Sequence, residues 1–106
     1  MEKEMKRVLV QYKVKDDKAE ENINFIKNVF DELKVNSPAG LRYASFHQPD
    51  GLSFVHIASV ESEDGKNPLS ESKAFAEFQK EIKDRCEIPP QAIELQEIGS
   101  YNFFNV

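Results

Sequence analysis

Along residues 8–14, VLVQYKV, apolar and polar side chains alternate and put Val8, Val10, Tyr12 and Val14 on one face. A two-residue period of this kind predicts a strand with one buried face. The period then changes. Ile23, Ile26, Val29, Phe30 and Leu33 recur at helical spacing, with Glu21, Asn24, Lys27, Asp31 and Lys34 largely opposite, the pattern of an amphipathic helix. Asp17 followed by Glu20 resembles a capping box at its start. NSPAG, residues 36–40, ends it with proline and glycine. Phe25 lies off the apolar stripe and needs a neighbour of its own.

Two strand-like runs follow, LRYASFHQ (41–48) and SFVHIASV (53–60), on either side of PDGL. An Asp-Gly pair favours a two-residue type I′ turn, in which both central residues take positive φ. That turn makes Pro49 face Leu52, and so pairs His47 with Phe54, Ser45 with His56 and Tyr43 with Ala58. A slip of one residue would change every pair. The polar stretch 61–72 leads into SKAFAEFQKEIKDRC, where Phe75, Phe78, Ile82 and Cys86 recur at helical spacing. EIPPQ stops this second helix, because neither proline can donate a helical hydrogen bond. AIELQEIGSYNFF (92–104) reads as a last long strand, with Gly99 as a bulge that re-aims Tyr101 and Phe103.

The order strand, helix, strand, strand, helix, strand predicts an α+β, ferredoxin-like βαββαβ domain spanning residues 1–106. Its four-stranded antiparallel sheet would carry both helices on one face. The other face keeps some mixture of Tyr43, Phe46, Phe54, Val55 and Ile57, too apolar to stay wet. A second copy laid on that face would bury it, so a homodimer with facing sheets is the expected assembly. The terminal SYNFFNV could cross onto the partner.

Charge and length then remove whole classes of function. Fourteen basic against nineteen acidic residues give a net −5, which argues against nucleic acid, since a phosphate backbone needs a basic face. No apolar run approaches the roughly 18–20 residues of a membrane span. The opening MEKEMKRVLV has no apolar core of a signal peptide. Cys86 is the single cysteine, so no internal disulfide can form. These features point to a cytoplasmic protein without membrane contact.

SPAGLRYASFHQPDG (37–51), FVHIASVES (54–62), FAEFQ (75–79) and PPQAIELQEI (89–98) together resemble the dimeric α/β-barrel superfamily. Within it they are most similar to the antibiotic-biosynthesis-monooxygenase-like group, over residues 8–98. The resemblance implies two protomers closing into an α/β barrel. It also implies a group that mixes cofactor-free monooxygenases with haem-degrading enzymes. Three departures bear on that choice. The group's Glu-Arg-Trp run is replaced by Ala58, Ser59 and Val60, and its second-helix histidine by Ala74. The asparagine that haem-degrading relatives place on the first strand falls on the Val10–Gln11 segment. Without the axial imidazole that haem iron needs, haem degradation is disfavoured and no cofactor is expected.

His47 and His56 are the only histidines. The hairpin register places them on one face as diagonal neighbours, about 7–8 Å apart at the backbone. A zinc or iron site needs a third or fourth ligand, and the nearest acid, Asp50, is consumed by the turn, so no metal is expected. His56, opposite Ser45 and near Tyr43, suits a general base, which makes His56 and Tyr43 the catalytic candidates. Phe54, Phe75 and Phe78 would wall an apolar pocket, Arg42 could face a substrate carboxylate or enolate with its forked donors, and His47 would sit at the rim. Each has a plainer reading. His56 would be a hydrogen-bonded core or interface residue, Arg42 a surface ion pair, Phe75 and Phe78 core, and Cys86 an inert buried thiol despite its neighbour Arg85.

Three functions follow. The leading one is a homodimeric domain that binds a small, partly aromatic molecule in an apolar pocket. The alternative is a cofactor-free monooxygenase or related acid/base enzyme using His56 and Tyr43. The third is a structural dimer module with no pocket. Pattern alone leaves open whether His56 points to the helices or to the partner sheet.

Overall fold

A computed structural model, describing residues 4–62 and 66–103, answers that question through its sheet. The elements are β1 (Glu4–Val14), α1 (Ala19–Asn36), β2 (Leu41–His47), β3 (Ser53–Ser62), α2 (Lys73–Gln79), α3 (Ile82–Arg85) and β4 (Cys86–Leu95). The strands form one antiparallel sheet in the order β2-β3-β1-β4. This is the expected ferredoxin-like α+β arrangement, with the helices on one face.

Alternation decides what each face holds. On the helix side β1 places Val10 and Tyr12 opposite His56 and Phe54 of β3. On the open side Leu9 faces Ile57 and Ile93, and Ala44 of β2 completes an apolar row across all four strands. Tyr12, Val14, Val29, Phe54, Leu69, Phe78 and Cys86 form the buried core between sheet and helices. Of the residues expected on the open face, Phe46, Val55 and Ile57 lie there, whereas Tyr43 and Phe54 belong to the helix side.

The β2–β3 register is the expected one: Tyr43 pairs with Ala58, Ser45 with His56 and His47 with Phe54. The turn is not. Gly51 N–H donates to the Gln48 carbonyl, and Gln48 N–H to the Ser53 carbonyl. Gly51 has φ of 76°, while Asp50 has no positive φ. Pro49 therefore occupies the first central position, which its fixed φ suits, and the Asp50 carboxylate accepts from Leu52 N–H, Ser53 N–H and the Ser53 hydroxyl. Those donors hold the Asp50 carboxyl down at about 2. The Gln48–Ser53 bond closes a four-residue loop, Pro49–Leu52, whose midpoint is that of the expected two-residue turn, so the register survives the change of turn.

α1 starts without the expected capping box. Lys18 precedes Ala19 and makes no side-chain cap, and Asp17 lies one residue too early. Its C-terminus stops where the sequence indicates, with Ser37 in the left-handed region and its N–H on the Leu33 carbonyl. Gly40 then turns into β2 at φ +78°, where a Cβ would strike the Glu61 carbonyl oxygen. Only glycine fits there.

The second helix is interrupted. α2 ends at Gln79, Lys80 is extended, Glu81 is left-handed at φ 63°, and α3 is a single turn. The cause is Arg85. Its guanidinium donates to the carbonyls of Phe78 (2.6 Å) and Lys80 (3.2 Å), satisfying groups that a continued helix would have used. Cys86 consequently leaves the helix and opens β4, still facing the core. Its thiol titrates higher than usual because burial outweighs Arg85, which fits an inert thiol. β4 accommodates Pro89 and Pro90 through register shifts opposite Gln11, Lys13 and Val14, as prolines require in an edge strand. It ends at Leu95, so Gly99 is no bulge and Tyr101 and Phe103 lie outside the sheet, largely exposed. The last three residues of SYNFFNV, and residues 63–65 of the polar stretch, lie outside the described residues.

Candidate functional site

A chain of side-chain hydrogen bonds crosses the helix side of the sheet, drawing on α1, β1, β2, β3 and the end of α3. Arg85 Nε donates to Asn22 Oδ1 (3.3 Å), and Asn22 Nδ2 donates to the Tyr12 hydroxyl (2.8 Å). That hydroxyl lies 2.7 Å from His56 Nε2. His56 Nδ1 lies 2.6 Å from Ser45 Oγ and 2.9 Å from the Tyr43 hydroxyl. Asn22, Tyr12, His56 and Arg85 are all buried.

The guanidinium fixes the Asn22 amide, and the bonds beyond it take the direction that gives the buried Tyr12 proton an acceptor. Arginine has no acceptor, so Asn22 must turn its carbonyl to Arg85 and its amide to Tyr12. The Tyr12 oxygen accepts that N–H, leaving its own O–H to donate to His56 Nε2. His56 then carries its proton on Nδ1 and donates to Ser45 and Tyr43. The order of polarity runs Arg85, Asn22, Tyr12, His56, and finally Ser45 and Tyr43; Ser45 also bonds to Tyr43, which leaves the Tyr43 proton to donate elsewhere.

Burial favours the neutral form throughout. It depresses the His56 imidazole to about 4. Burial also raises Tyr43 to about 12, against the opposing Ser45 hydrogen bond, and raises Tyr12 further, against that from Asn22. Rings reinforce the geometry. Tyr12 and Tyr43 stack against His56 with centroids at 5.3 and 5.8 Å, and the Arg85 guanidinium lies 4.6 Å over Phe25. Phe25 thus finds the partner that its position off the apolar stripe demanded.

Beside this network lies a cavity of about 520 Å³ between sheet and helices, within the range of small-molecule sites. Val8, Val10, Ala58 and Val60 form its floor, and Leu69, Phe75, Phe78 and Ile82 its roof. Tyr12, Tyr43 and His56 present the buried polar edge. His56 thus points to the helices and away from the open face.

Of the candidates, His56, Tyr43, Phe75 and Phe78 meet at this cavity. Three others do not. Phe54 is buried core, packed on Tyr12 and His47 with centroids at 5.5 and 4.5 Å. His47 is exposed near the hairpin end. Arg42 pairs with Ser59, and Ser59 with Arg7, on the opposite side of the sheet, because it is the chain neighbour of inward-facing Tyr43. Among the described residues no three His, Cys, Asp or Glu side chains converge as metal ligands. Gln11 is exposed on the open face, so its amide cannot serve this cavity. Asn22 and Arg85 escaped the sequence reading, which treats polar and charged residues as surface; the off-stripe Phe25 was the one signal of a buried partner.

Neither a protein-family model nor a curated protein matches the chain. Solved structures do. A protein from Nitrosomonas europaea named as an antibiotic biosynthesis monooxygenase superposes with a TM-score of 0.72 at 15% identity, covering 92% of this chain and 94% of that one. A similarly named protein from Caulobacter crescentus gives 0.73 at 17%, covering 92% of each. The chain has the antibiotic-biosynthesis-monooxygenase-like fold. A point mutant of SnoaB, a cofactor-independent oxygenase from Streptomyces nogalater, shares this monooxygenase-like fold with a TM-score of 0.68 at 11% identity, covering 92% of this chain and 97% of that one.

A second short-range device positions the roof of the cavity. The Ser72 hydroxyl donates to the Glu32 carboxylate of α1 while its oxygen accepts Phe75 N–H at 3.0 Å, capping α2. Glu32 is thereby held below its usual carboxylate range, by Ser72 first and the α2 backbone next. Phe75 and Phe78 follow directly from this cap, so α1 fixes where the roof begins.

Proposed function

We propose that this protein is a cytoplasmic, homodimeric domain that binds a small, partly aromatic molecule in the cavity between sheet and helices. The observation that carries this reading is an apolar space of about 520 Å³ with buried, uncharged hydrogen-bonding groups at one edge. Apolar walls supply affinity and a few placed polar groups supply orientation. Tyr43 supplies the donor, since its oxygen accepts from His56 and its proton is free to reach a ligand. Titration with a naphthol should give saturable binding, lost in Ala58→Trp, which fills the floor beside Tyr43. Absence of saturable binding to the wild-type protein would sink the reading.

The dimer rests on the open face, where the Ala44–Ile57–Leu9–Ile93 row spans the sheet and Phe46 is 48% exposed. A second copy covers this row face to face. No helix among the described residues is long and apolar enough to cross a membrane. Sedimentation of the wild-type protein at micromolar concentration should give a dimer; a stable monomer would contradict this assembly.

The enzyme reading, a cofactor-free monooxygenase with His56 as base, draws support from the fold shared with SnoaB and from the same secluded cavity. It faces one physical obstacle. Both imidazole nitrogens are engaged, Nε2 by Tyr12 and Nδ1 by Ser45 and Tyr43, so a substrate proton has no open lone pair to reach. Oxygen uptake with hydroquinone-type substrates, abolished in His56→Ala, would favour catalysis. No turnover across such a panel leaves binding as the function.

A further inference from the structure

The polar edge of the cavity is one-sided: it holds a proton to give and no lone pair to lend. Both His56 nitrogens are engaged. The Tyr12 oxygen accepts the Asn22 amide, and its proton goes to His56. The Tyr43 oxygen receives the His56 Nδ1 proton and a bond from Ser45. Only the Tyr43 proton is left to face a ligand. The remaining polar side chains of the lining, Lys6, Asn67, Gln79 and Lys83, are all exposed.

This one-sidedness depends on a residue outside the cavity lining. Asn22, on α1, is 0% exposed and touches no part of the cavity surface. Arg85 Nε holds its carbonyl at 3.3 Å, so the end turned to Tyr12 is the N–H, at 2.8 Å. An acceptor in the same place would reverse each bond beyond it. It would take the Tyr12 proton, and the Tyr12 oxygen would then draw a proton from His56 Nε2. The neutral imidazole has one N–H, so Nδ1 would become an acceptor for the Ser45 and Tyr43 protons. The Tyr43 oxygen would keep a lone pair towards the cavity.

Resting on the small-molecule reading above, we propose that Asn22 is a positioning residue for the ligand. Through Tyr12 and His56 it makes the Tyr43 edge a donor, so the cavity selects a molecule with a hydrogen-bond acceptor at that point over one with a donor. A ligand N–H placed there would be buried without a partner, and a site built for one hydrogen-bonding sense rejects the other strongly. Asn22→Asp exchanges the amide nitrogen for an oxygen while leaving an oxygen for Arg85, which makes it the least change that reverses the chain.

Nitrogen-15 NMR of His56, assigned with His47→Gln, reads the tautomer, and two ligands read the edge. Fluorenone and carbazole share a three-ring frame, the first with a C=O acceptor and the second with an N–H donor at the same corner. Wild-type protein should show Nδ1–H and bind fluorenone at least about tenfold more tightly, the effect of one buried donor left unpaired. Asn22→Asp should show Nε2–H and bring the two affinities to within about threefold. Added to Tyr12→Phe, which cuts the relay, the same Asp should change neither the tautomer nor the ratio. Should Asn22→Asp lose its fold, judged by circular dichroism, the wild-type tautomer and ratio still decide. Nε2–H in the wild-type protein, or Nδ1–H kept in a folded Asn22→Asp, overturns the proposal and leaves the cavity reading intact. So does equal binding of the two ligands to wild-type protein, or an effect of the Asp that persists without the Tyr12 hydroxyl. Failure of both ligands to bind wild-type protein overturns both.

Discussion

Gln11 and Tyr12 are neighbours in the chain and opposites in circumstance. Gln11 faces the open side, exposed, with Gln91 across the strand; Tyr12 faces the helices, buried, with a hydrogen bond on either side. The same contrast holds for the two sides of the whole sheet. On the open side polar groups are solvated and the apolar row wants a cover. On the helix side the polar groups are sealed in, and each depends on the next. A polar group on the open face finds water, whereas one left unpaired on the buried face costs about 1–3 kcal/mol.

The largest effect should come from the head of the chain of bonds. Arg85→Ala abandons Asn22 Oδ1 and the carbonyls of Phe78 and Lys80 together. A loss of about 3–5 kcal/mol in urea unfolding is expected, with Arg85→Lys recovering only part. A loss below about 1 kcal/mol would mean that the network does not depend on its cation.

Acidity gives the next largest. The folded His56 stays neutral down to about pH 4, whereas the free side chain titrates at 6.5. Between those values the unfolded state binds the extra proton, so stability is full above about pH 7 and falls as pH drops towards 4. The loss amounts to at most about 3 kcal/mol. Tyr43, raised to about 12 from 10, adds the opposite limb: its contribution is full below pH 10 and is lost as pH rises towards 12. Urea midpoints should therefore form a plateau near pH 7–10, and His56→Asn should flatten the acid limb alone.

Tyr12→Phe against Gln11→Ala then tests the contrast at one step of the chain. The first leaves the Asn22 amide and His56 Nε2 without a partner, at about 2 kcal/mol; the second should stay within about 0.5 kcal/mol. Similar losses at both sites would erase the distinction between the faces. Smallest in stability is Ile93→Lys, on the open side and 44% exposed. It should change the unfolding of a protomer by less than about 0.5 kcal/mol yet shift sedimentation from dimer to monomer.

What could be read in advance divides along the same line. Alternation in VLVQYKV and the two flanks of PDGL gave strands and the hairpin register, because hydrophobic burial follows a period. The hairpin tolerated a wrong turn type since the four-residue loop that forms has the same midpoint as the two-residue loop expected. The helix from Ser72 to Cys86 failed because Arg85, read only as the neighbour of Cys86, binds the carbonyls where α2 ends. His56 and Tyr43 were identified as a pair, but their partners Tyr12 and Asn22 come from 44 and 34 residues upstream of His56. A period reports which side chains are buried; it does not report which polar groups will answer one another across that distance.

Pro89 and Pro90 carry a consequence for how copies meet. They lie in β4, the last strand at one side of the sheet. Successive N–H groups along a strand point to alternate edges, so two adjacent prolines remove a donor from each edge, including the outer one. A foreign strand approaching that side finds a broken row of donors, and the register shifts beside it spoil the spacing as well. Runaway lateral stacking, the route by which exposed sheet margins seed fibrils, is thereby hindered at this margin.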